Sequence, residues 1–553
     1  MKVHMQLLFS VALVMSSAFS SVVAETAEQR PNFLLIVADD LGWSDISSFG
    51  SEIKTPNIDA LADAGVKFTD FHVSVSCSPT RSMLMTGTDN HIAGLGTMSE
   101  LLTDELRNQP GYEGHLNDRV VTLAEVLRDG GYHTYMSGKW HLGEEPEHFP
   151  AARGFDKSFS MLYGGASYWN DMTGILAVEQ EQAKYVKDDQ QLKSLPEDFY
   201  ATRSYTDILM DMIRGDRDDR KPFFAYLAFT TVHDPLHVPE PWLSQYRGEY
   251  DDGFAGLKAR RAEGARRAGV FPANAKAAQL HPMARDWDSF SDEEQAFQSR
   301  AMEVYAGMVG NMDYHIGRMI NFLKDIDEYD NTVIIFFSDN GSNPTRNEDY
   351  SPGEAGKRFL SQFDNSINSL GGPSSHYAYG PGWGSASSGP LNHFKLTPGE
   401  GGIRSPMIIE GPGVKGQRQV DTFAYITDIM PTMLEMAKLE HPEKYRGREV
   451  APLRGRSMTG VLSGDETDLY SHDEPVGAEM AGGKWLRQGD YKAVMVPPPF
   501  GEGEWQLFDM AKDPGETDDL SKTHPQKLEE LKTAWKQYAD EVGVVETTGP
   551  ISR

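Results

Sequence analysis

Four short apolar runs along this chain end alike, in polar residues suited to chemistry. Residues 32–38 lead into Asp39 and Asp40, and residues 131–137 into Gly138-Lys139-Trp140-His141. Residues 223–229 lead into Thr230, Thr231, Val232 and His233, and residues 332–338 into Asp339-Asn340-Gly341. Continuous apolar runs of this length, bounded by glycine and proline, fit strands buried on both faces of a parallel sheet. Between them lie stretches with helical spacing, at 58–64, 120–128, 205–214 and 297–324. This alternation predicts an α/β fold, a large mixed, mostly parallel sheet sandwiched by helices. Ligands gather at the carboxyl ends of the strands in such sheets, so the four clusters are expected to converge on one edge.

From about Ser471 the pattern changes to short alternating runs at 484–487, 491–496 and 505–509, followed by a charged helix at 525–542. These predict a small antiparallel sheet covered by one helix. The expected organisation is a signal peptide at 1–24, a catalytic domain at 25–470 and a smaller C-terminal α+β subdomain at 471–553. Residues 237–297 and 342–396, rich in Gly, Ser, Pro and charge, read as long excursions over the sheet edge, where specificity loops usually sit.

The N-terminus supports the first of these divisions. Lys2 precedes an apolar stretch, 7–15, broken only by Ser10, and small residues lead to Val22-Val23-Ala24 before Glu25. This is the pattern of an export signal cleaved after Ala24. The stretch is too short to span a bilayer, and no later run approaches about 18 uninterrupted apolar residues. The mature chain is therefore expected to be exported, periplasmic or secreted, with no stable membrane anchor. A net charge of −30 argues against nucleic-acid or anionic-membrane partners. Lys258-Ala259-Arg260-Arg261 with Arg266-Arg267 is a local exception and reads as the solvated face of a short helix.

The chain has one cysteine, Cys77, so it closes no internal disulfide and builds no multi-thiolate zinc site. A lone cysteine is usually a small buried hydrophobe. Here Pro79 suits the first turn of a helix and Arg81 adds a cation one turn along, which places Cys77 where anions are stabilised. Asp39, Asp40, Asp339 and Asn340 offer only oxygen ligands, a set suited to Ca²⁺ or, less well, Mg²⁺. Lys139 and His141, two apart, share a face if the chain is extended. Arg81, Lys395 and Arg404 add cations, and His233 is placed to protonate a leaving group. Cations around a hard metal suit a tetrahedral oxyanion ester, of sulfate or of phosphate. Trp140, Tyr168, Trp169 and Trp383 suit stacking on a substrate ring or ordinary packing equally.

Cys77-Ser78-Pro79-Thr80-Arg81, followed by Thr86-Gly87, resembles the signature of type I sulfatases. Residues 131–141 resemble the second signature, and Ala38-Asp39-Asp40-Leu41-Gly42, Thr55-Pro56-Asn57-Ile58-Asp59, residues 338–341 and residues 400–406 match further. The resemblance covers about residues 31–435 closely. Order and spacing look most like bacterial arylsulfatases of the alkaline-phosphatase superfamily; Val75, where a smaller residue is common, is a small departure.

The resemblance implies that a formylglycine-generating enzyme oxidises Cys77 to formylglycine (3-oxoalanine), whose hydrate is the nucleophile. It implies Ca²⁺ held by Asp39, Asp40, Asp339, Asn340 and residue 77, with Asp339 a candidate to take the nucleophile's proton. Lys139, His233 and Lys395 are then expected to hold the sulfate oxygens, and His233 or Lys395 to assist the departing alcohol. His141 would act as the base that lets the hydrate collapse and expel sulfate, and Arg81 would hold the hydrate. The predicted activity is hydrolysis of sulfate esters, aryl sulfates foremost, with a small-molecule or saccharide substrate. The alternatives are a phosphonate monoester or phosphodiester hydrolase, and a non-catalytic sulfated-glycan-binding protein in which Cys77 stays a thiol. A thiol-nucleophile hydrolase leaves the acidic cluster unexplained.

Overall fold

The four apolar runs become four adjacent parallel strands. The structure, a computed structural model, describes residues 30–176, 182–350 and 352–546, so the expected export signal lies outside the described residues. The main sheet comprises β1 (Asn32–Ala38), β2 (Val66–His72), β3 (His133–Lys139), β4 (Lys157–Met161), β5 (Tyr185–Lys187), β6 (Gln190–Gln191), β7 (Phe223–Ala228), β8 (Thr332–Ser338), β9 (Arg404–Glu410), β10 (Arg418–Val420) and β11 (Ala424–Tyr425). Its order is β10-β2-β9-β8-β1-β7-β3-β4-β5-β6, with β11 paired to β2. The central β8-β1-β7-β3 pairings are all parallel, and β9 runs antiparallel to both β2 and β8. Every residue of β1, β7 and β8 is buried, which is why these strands read as unbroken apolar runs. Ala38 pairs with Ser338, and Gly138 with Ala228, so four strand ends open on one edge.

Helices pack on this sheet; Ala201–Gly215, for example, lies against β3 and β7. The long helix Asp292–Asp325 starts in a capping box between Ser291 and Glu294, and its first turn carries three acidic residues that favour its positive N-terminal end. The helix expected from Val120 starts instead at Leu123. Thr122 caps it, accepting from the Glu125 backbone N–H at 3.0 Å while Glu125 accepts from the Thr122 N–H at 2.9 Å.

The two long excursions contain more regular structure than their composition suggested, including helices Gly253–Arg267, Gly353–Leu360 and Gly380–Ser387. The basic segment also departs from expectation. Lys258 and Arg261 are buried, not solvated. Arg261 pairs with Asp45 and holds Glu52 with Nε at 3.1 Å and Nη2 at 2.9 Å. Lys258 donates to the backbone oxygens of Ser385 (2.9 Å) and Leu391 (3.1 Å), and burial pushes its ammonium down to about 7. Arg260 beside Asp252, and Arg266 and Arg267 beside Glu263, behave as a solvated face.

After a short hairpin of β12 (Lys444–Tyr445) and β13 (Arg448–Glu449), strands β14 (Pro475–Met480), β15 (Gly483–Gln488), β16 (Tyr491–Met495) and β17 (Trp505–Asp509) form an antiparallel meander. Helix Pro525–Val542 covers it, packing Leu528, Leu531 and Trp535 on Leu486, Ala493 and Leu507. Ion pairs join this meander to the catalytic part of the chain: Lys492 to Glu400, just before β9, at 2.7 Å, and Arg487 to Asp70 in β2 at 2.7 Å. Arg404, expected as a further site cation, belongs to this seam, where it pairs with Asp70 and Glu400. Among the described residues no helix is long and apolar enough to cross a membrane.

Candidate active site

Cys77 begins helix Cys77–Thr86, all ten residues of which are buried against the strand ends. Its Sγ lies 3.5 Å from Asp39 Oδ1, 4.0 Å from Asp40 Oδ1 and 3.3 Å from Lys395 Nζ. Burial pushes the thiol up to about 12 despite Lys139 and Lys395 nearby, which disfavours the thiolate. That weighs against a thiol nucleophile.

Around Cys77 three buried carboxylates face three buried cations. Lys139 Nζ donates to Asp39 at 2.7 Å, Lys395 Nζ to Asp40 at 2.6 Å, and Arg81 Nε to Asp339 at 2.9 Å. Arg81 also donates to the Lys139 carbonyl at 2.9 Å and to the Tyr226 hydroxyl at 3.4 Å. Asn340 Nδ2 donates to Asp40 Oδ1 at 2.7 Å. Two buried oxygens of this cluster, Asp40 Oδ2 and Asn340 Oδ1, have no hydrogen-bond partner. A buried acceptor left unsatisfied is costly, and a cation is what such a pair suits. Asp39, Asp40, Cys77 and His233 present ligand atoms within 4.8 Å of one another. Burial outweighs Lys139 at Asp39 and raises its carboxyl to about 7. At Asp40 burial pulls the same way, but His233, Lys395 and Lys139 hold the carboxyl below the usual range.

His233 enters from the end of β7, its Nε2 3.5 Å from Asp40 Oδ2 and its Nδ1 2.8 Å from the Asp234 carbonyl. Burial pushes the imidazole well below its ordinary value. Tyr168 fixes the turn beneath it, its hydroxyl donating to the carbonyls of Thr230 (2.6 Å) and His233 (2.8 Å).

Lys139 and His141 do not sit on an extended stretch. Gly138 has φ 123° and His141 φ 56°, so the chain turns sharply at the end of β3. A Cβ on Gly138 would fall 1.8 Å from the Ala228 carbonyl oxygen, which makes the glycine obligatory there. The turn brings His141 Nε2 to 2.9 Å from Glu100 Oε1 and leaves Nδ1 buried without a partner. An imidazole whose Nε2–H donates to a carboxylate carries its lone pair on Nδ1. Burial pushes His141 below its ordinary value, against the pull of Glu100. Glu100, in the short turn Ser99–Leu101, belongs to no motif and is a site residue that sequence reasoning missed. Tyr226 and Tyr350 are two more.

A cavity of about 200 Å³ opens above Cys77, with His141, His233, Lys395 and Glu100 among its walls. Trp140, Tyr168 and Trp383 are fully buried, and the indole N–H groups of Trp140 and Trp383 donate to the carbonyls of His148 and Gln298 at 2.9 Å. These three are packing residues. Trp169 packs on Tyr200 with ring centroids 5.0 Å apart.

A family model described as "Sulfatase" matches residues 31–439, which contain every element of this site. The chain belongs to the sulfatase family. This sulfatase is a sulfuric ester hydrolase with an alkaline-phosphatase-like fold. A second model, "N-sulphoglucosamine sulphohydrolase, C-terminal", matches residues 397–541. The sulfatase is 42% identical over 539 residues to an uncharacterized sulfatase of Schizosaccharomyces pombe, covering 94% of this chain and 95% of that one. It is 36% identical over 453 residues to the arylsulfatase of Klebsiella aerogenes, covering 81% of this chain and 96% of the relative. Among solved structures it resembles Ps i-CgsB in complex with k-i-k-neocarrahexaose, with a TM-score of 0.65 at 24% identity over 92% of this chain and 93% of that one.

Proposed function

We propose that this sulfatase hydrolyses aryl sulfates, using residue 77 in its formylglycine form together with a Ca²⁺ ion. The observation that carries the reading is the position of Cys77: at a helix start, against Asp39 and Lys395, under an open cavity. The 36% identical arylsulfatase of Klebsiella aerogenes supports the aryl class.

The residues present fit a hard divalent cation. Asp39, Asp40, Asp339, Asn340 and residue 77 would hold it, and Asp40 Oδ2 and Asn340 Oδ1, buried without a hydrogen-bond partner, are available as donors. When bound it supplies positive charge that favours the deprotonated nucleophile and the sulfate oxygens; Mg²⁺ fits the same oxygens less well.

The chain's own groups divide the remaining work. Lys139 and Lys395, both kept charged by neighbouring carboxylates against the effect of burial, hold the sulfate oxygens together with His233. Asp339 takes the nucleophile's proton. His233 or Lys395 delivers a proton to the departing alcohol. Arg81, locked between Asp339 and the Lys139 carbonyl, fixes the hydrate of residue 77. His141 Nδ1 then accepts the proton whose removal lets sulfate leave. Two stages follow from this division, alcohol release and then sulfate release.

Maturation of Cys77 requires a formylglycine-generating enzyme, and export to the periplasm or medium, with removal of residues 1–24, completes the reading. Residues 25–470 form the catalytic domain in this scheme and 471–553 the C-terminal subdomain. The test is peptide mass spectrometry at residue 77 combined with direct assay of sulfate. We expect an aldehyde at residue 77 and stoichiometric sulfate from aryl sulfates. An unmodified thiol in fully active enzyme, or a clear preference for the matching phosphate esters, overturns the proposal.

A further inference from the structure

The cavity above Cys77 has two kinds of wall. Its polar groups are Cys77, Glu100, His141, His233 and Lys395, each already assigned to catalysis or to positioning. Among the described residues the rest of the lining is Tyr350, Gly164 and the apolar Met98, Ile175, Leu176 and Pro352. The Tyr350 hydroxyl is engaged with Asp234 Oδ2 at 3.1 Å and with Asn343 Nδ2 at 2.6 Å. A sugar ring next to the sulfate would bury its hydroxyls against this wall without partners, a costly arrangement. A hydrocarbon would not.

Pro352 also lines a second cavity, of about 380 Å³, so the two share that wall residue. The outer one is lined by residues that follow inner-cavity residues in sequence, Leu101 after Glu100 and Leu396 after Lys395. Its far wall comes from Met283 and from Phe500 beside the Pro497-Pro498-Pro499 run. The charged residues at its rim are paired with one another, Arg346 Nε to Asp349 at 3.0 Å and to Glu348 at 3.4 Å. They offer a ligand little.

We propose that the outer cavity is a subsite for the far end of the alcohol, and that the substrate is the sulfate monoester of an extended apolar alcohol. The ring or chain atoms nearest the ester fill the inner cavity, and the remainder runs past Pro352 onto Leu101, Leu396 and Phe500. The inference rests on the hydrolytic reading above and narrows its substrate class. Position is what points to the occupant: the alcohol of an ester held by Lys139 and His233 lies in the inner cavity, and Pro352 is a wall of both cavities.

The test compares kcat/KM for phenyl sulfate, para-octylphenyl sulfate and glucose 6-sulfate, in the mature enzyme and in Phe500→Ala and Met283→Asp. Each methylene removed from water contributes up to about fourfold, so the octyl ester is expected to exceed phenyl sulfate by well over tenfold. Both variants are expected to cut that ratio by about tenfold. The proposal is overturned if the two aryl esters react equally, if glucose 6-sulfate is preferred, or if the ratio survives both substitutions. Failure to hydrolyse any sulfate ester, with the aldehyde present, would instead count against the hydrolytic reading. The subsite is then read by calorimetry with para-octylphenol: weaker binding in both variants supports it, and unchanged binding rejects it.

Discussion

Replacing Glu100 by Gln keeps the size of the side chain and removes its charge. Glu100 Oε1 accepts from His141 Nε2 at 2.9 Å, with 6% of the His141 side chain and 26% of the Glu100 side chain exposed. A hydrogen bond to a charged group contributes about 1.5–3 kcal/mol. Partial exposure places this one near the low end, about 1.5–2 kcal/mol, equivalent to a 10- to 30-fold loss of rate. The amide also has the option of donating to Nε2, which would leave the proton on Nδ1, where the base must be. In protease triads the corresponding carboxylate-to-amide change costs about 10⁴-fold for that reason, which sets the upper limit. The assay is rapid-mixing kinetics with an aryl sulfate that releases a coloured phenol, with sulfate followed separately. Phenol release in the first turnover should keep its rate while sulfate release falls 10- to 30-fold. Equal slowing of both stages, or of neither, refutes the idea that Glu100 acts through His141.

The pH dependence tests the same residue. His141 lies below its ordinary value of 6.5 and accepts a proton only when neutral, so sulfate release should decline as pH falls through that lowered value. In Glu100→Gln the carboxylate no longer favours the imidazolium, and the decline should move to lower pH; an upward move contradicts the assignment. Arg261→Met strands the buried carboxylate of Asp45 beside Glu52 and should destabilise the fold by about 3–5 kcal/mol in urea unfolding; a change under about 1 kcal/mol would show the pair to be expendable. Asp39→Ala should lose bound Ca²⁺ and activity together, checked by elemental analysis of the purified protein. Cys77→Ala should abolish turnover while the melting temperature stays within a few degrees, since one small buried side chain carries modest stability.

What was legible in the sequence is what buried parallel strands and short motifs express locally. The runs 33–38, 223–229 and 333–337 are apolar throughout because both faces of β1, β7 and β8 are covered. Their polar ends marked Asp39, Asp40, His233, Asp339 and Asn340 without reference to the rest of the chain. Lys258 and Arg261 were misread because the groups that bury them lie far off in sequence; Asp45 and Glu52 stand 216 and 209 residues from Arg261. Arg404 failed likewise, since its partners face a seam formed partly by Lys492 and Arg487. Glu100 was invisible because a lone glutamate in a short turn has no pattern, and its meaning comes only from the left-handed turn at His141. Extended-chain periodicity does not survive such a turn.

The burial of Cys77, 1% exposed, also sets a timetable for biosynthesis. On the proposed maturation, the oxidising enzyme must reach the cysteine before the surrounding walls assemble. One of those walls is Lys395, which contacts Sγ from 318 residues further along the chain. At roughly 5–20 residues per second a ribosome needs about 15–60 s to produce that stretch. Throughout that interval the native pocket has no Lys395 and no β9, so its walls are incomplete while synthesis proceeds. The distance in sequence between Cys77 and Lys395 thus doubles as a clock for the proposed modification.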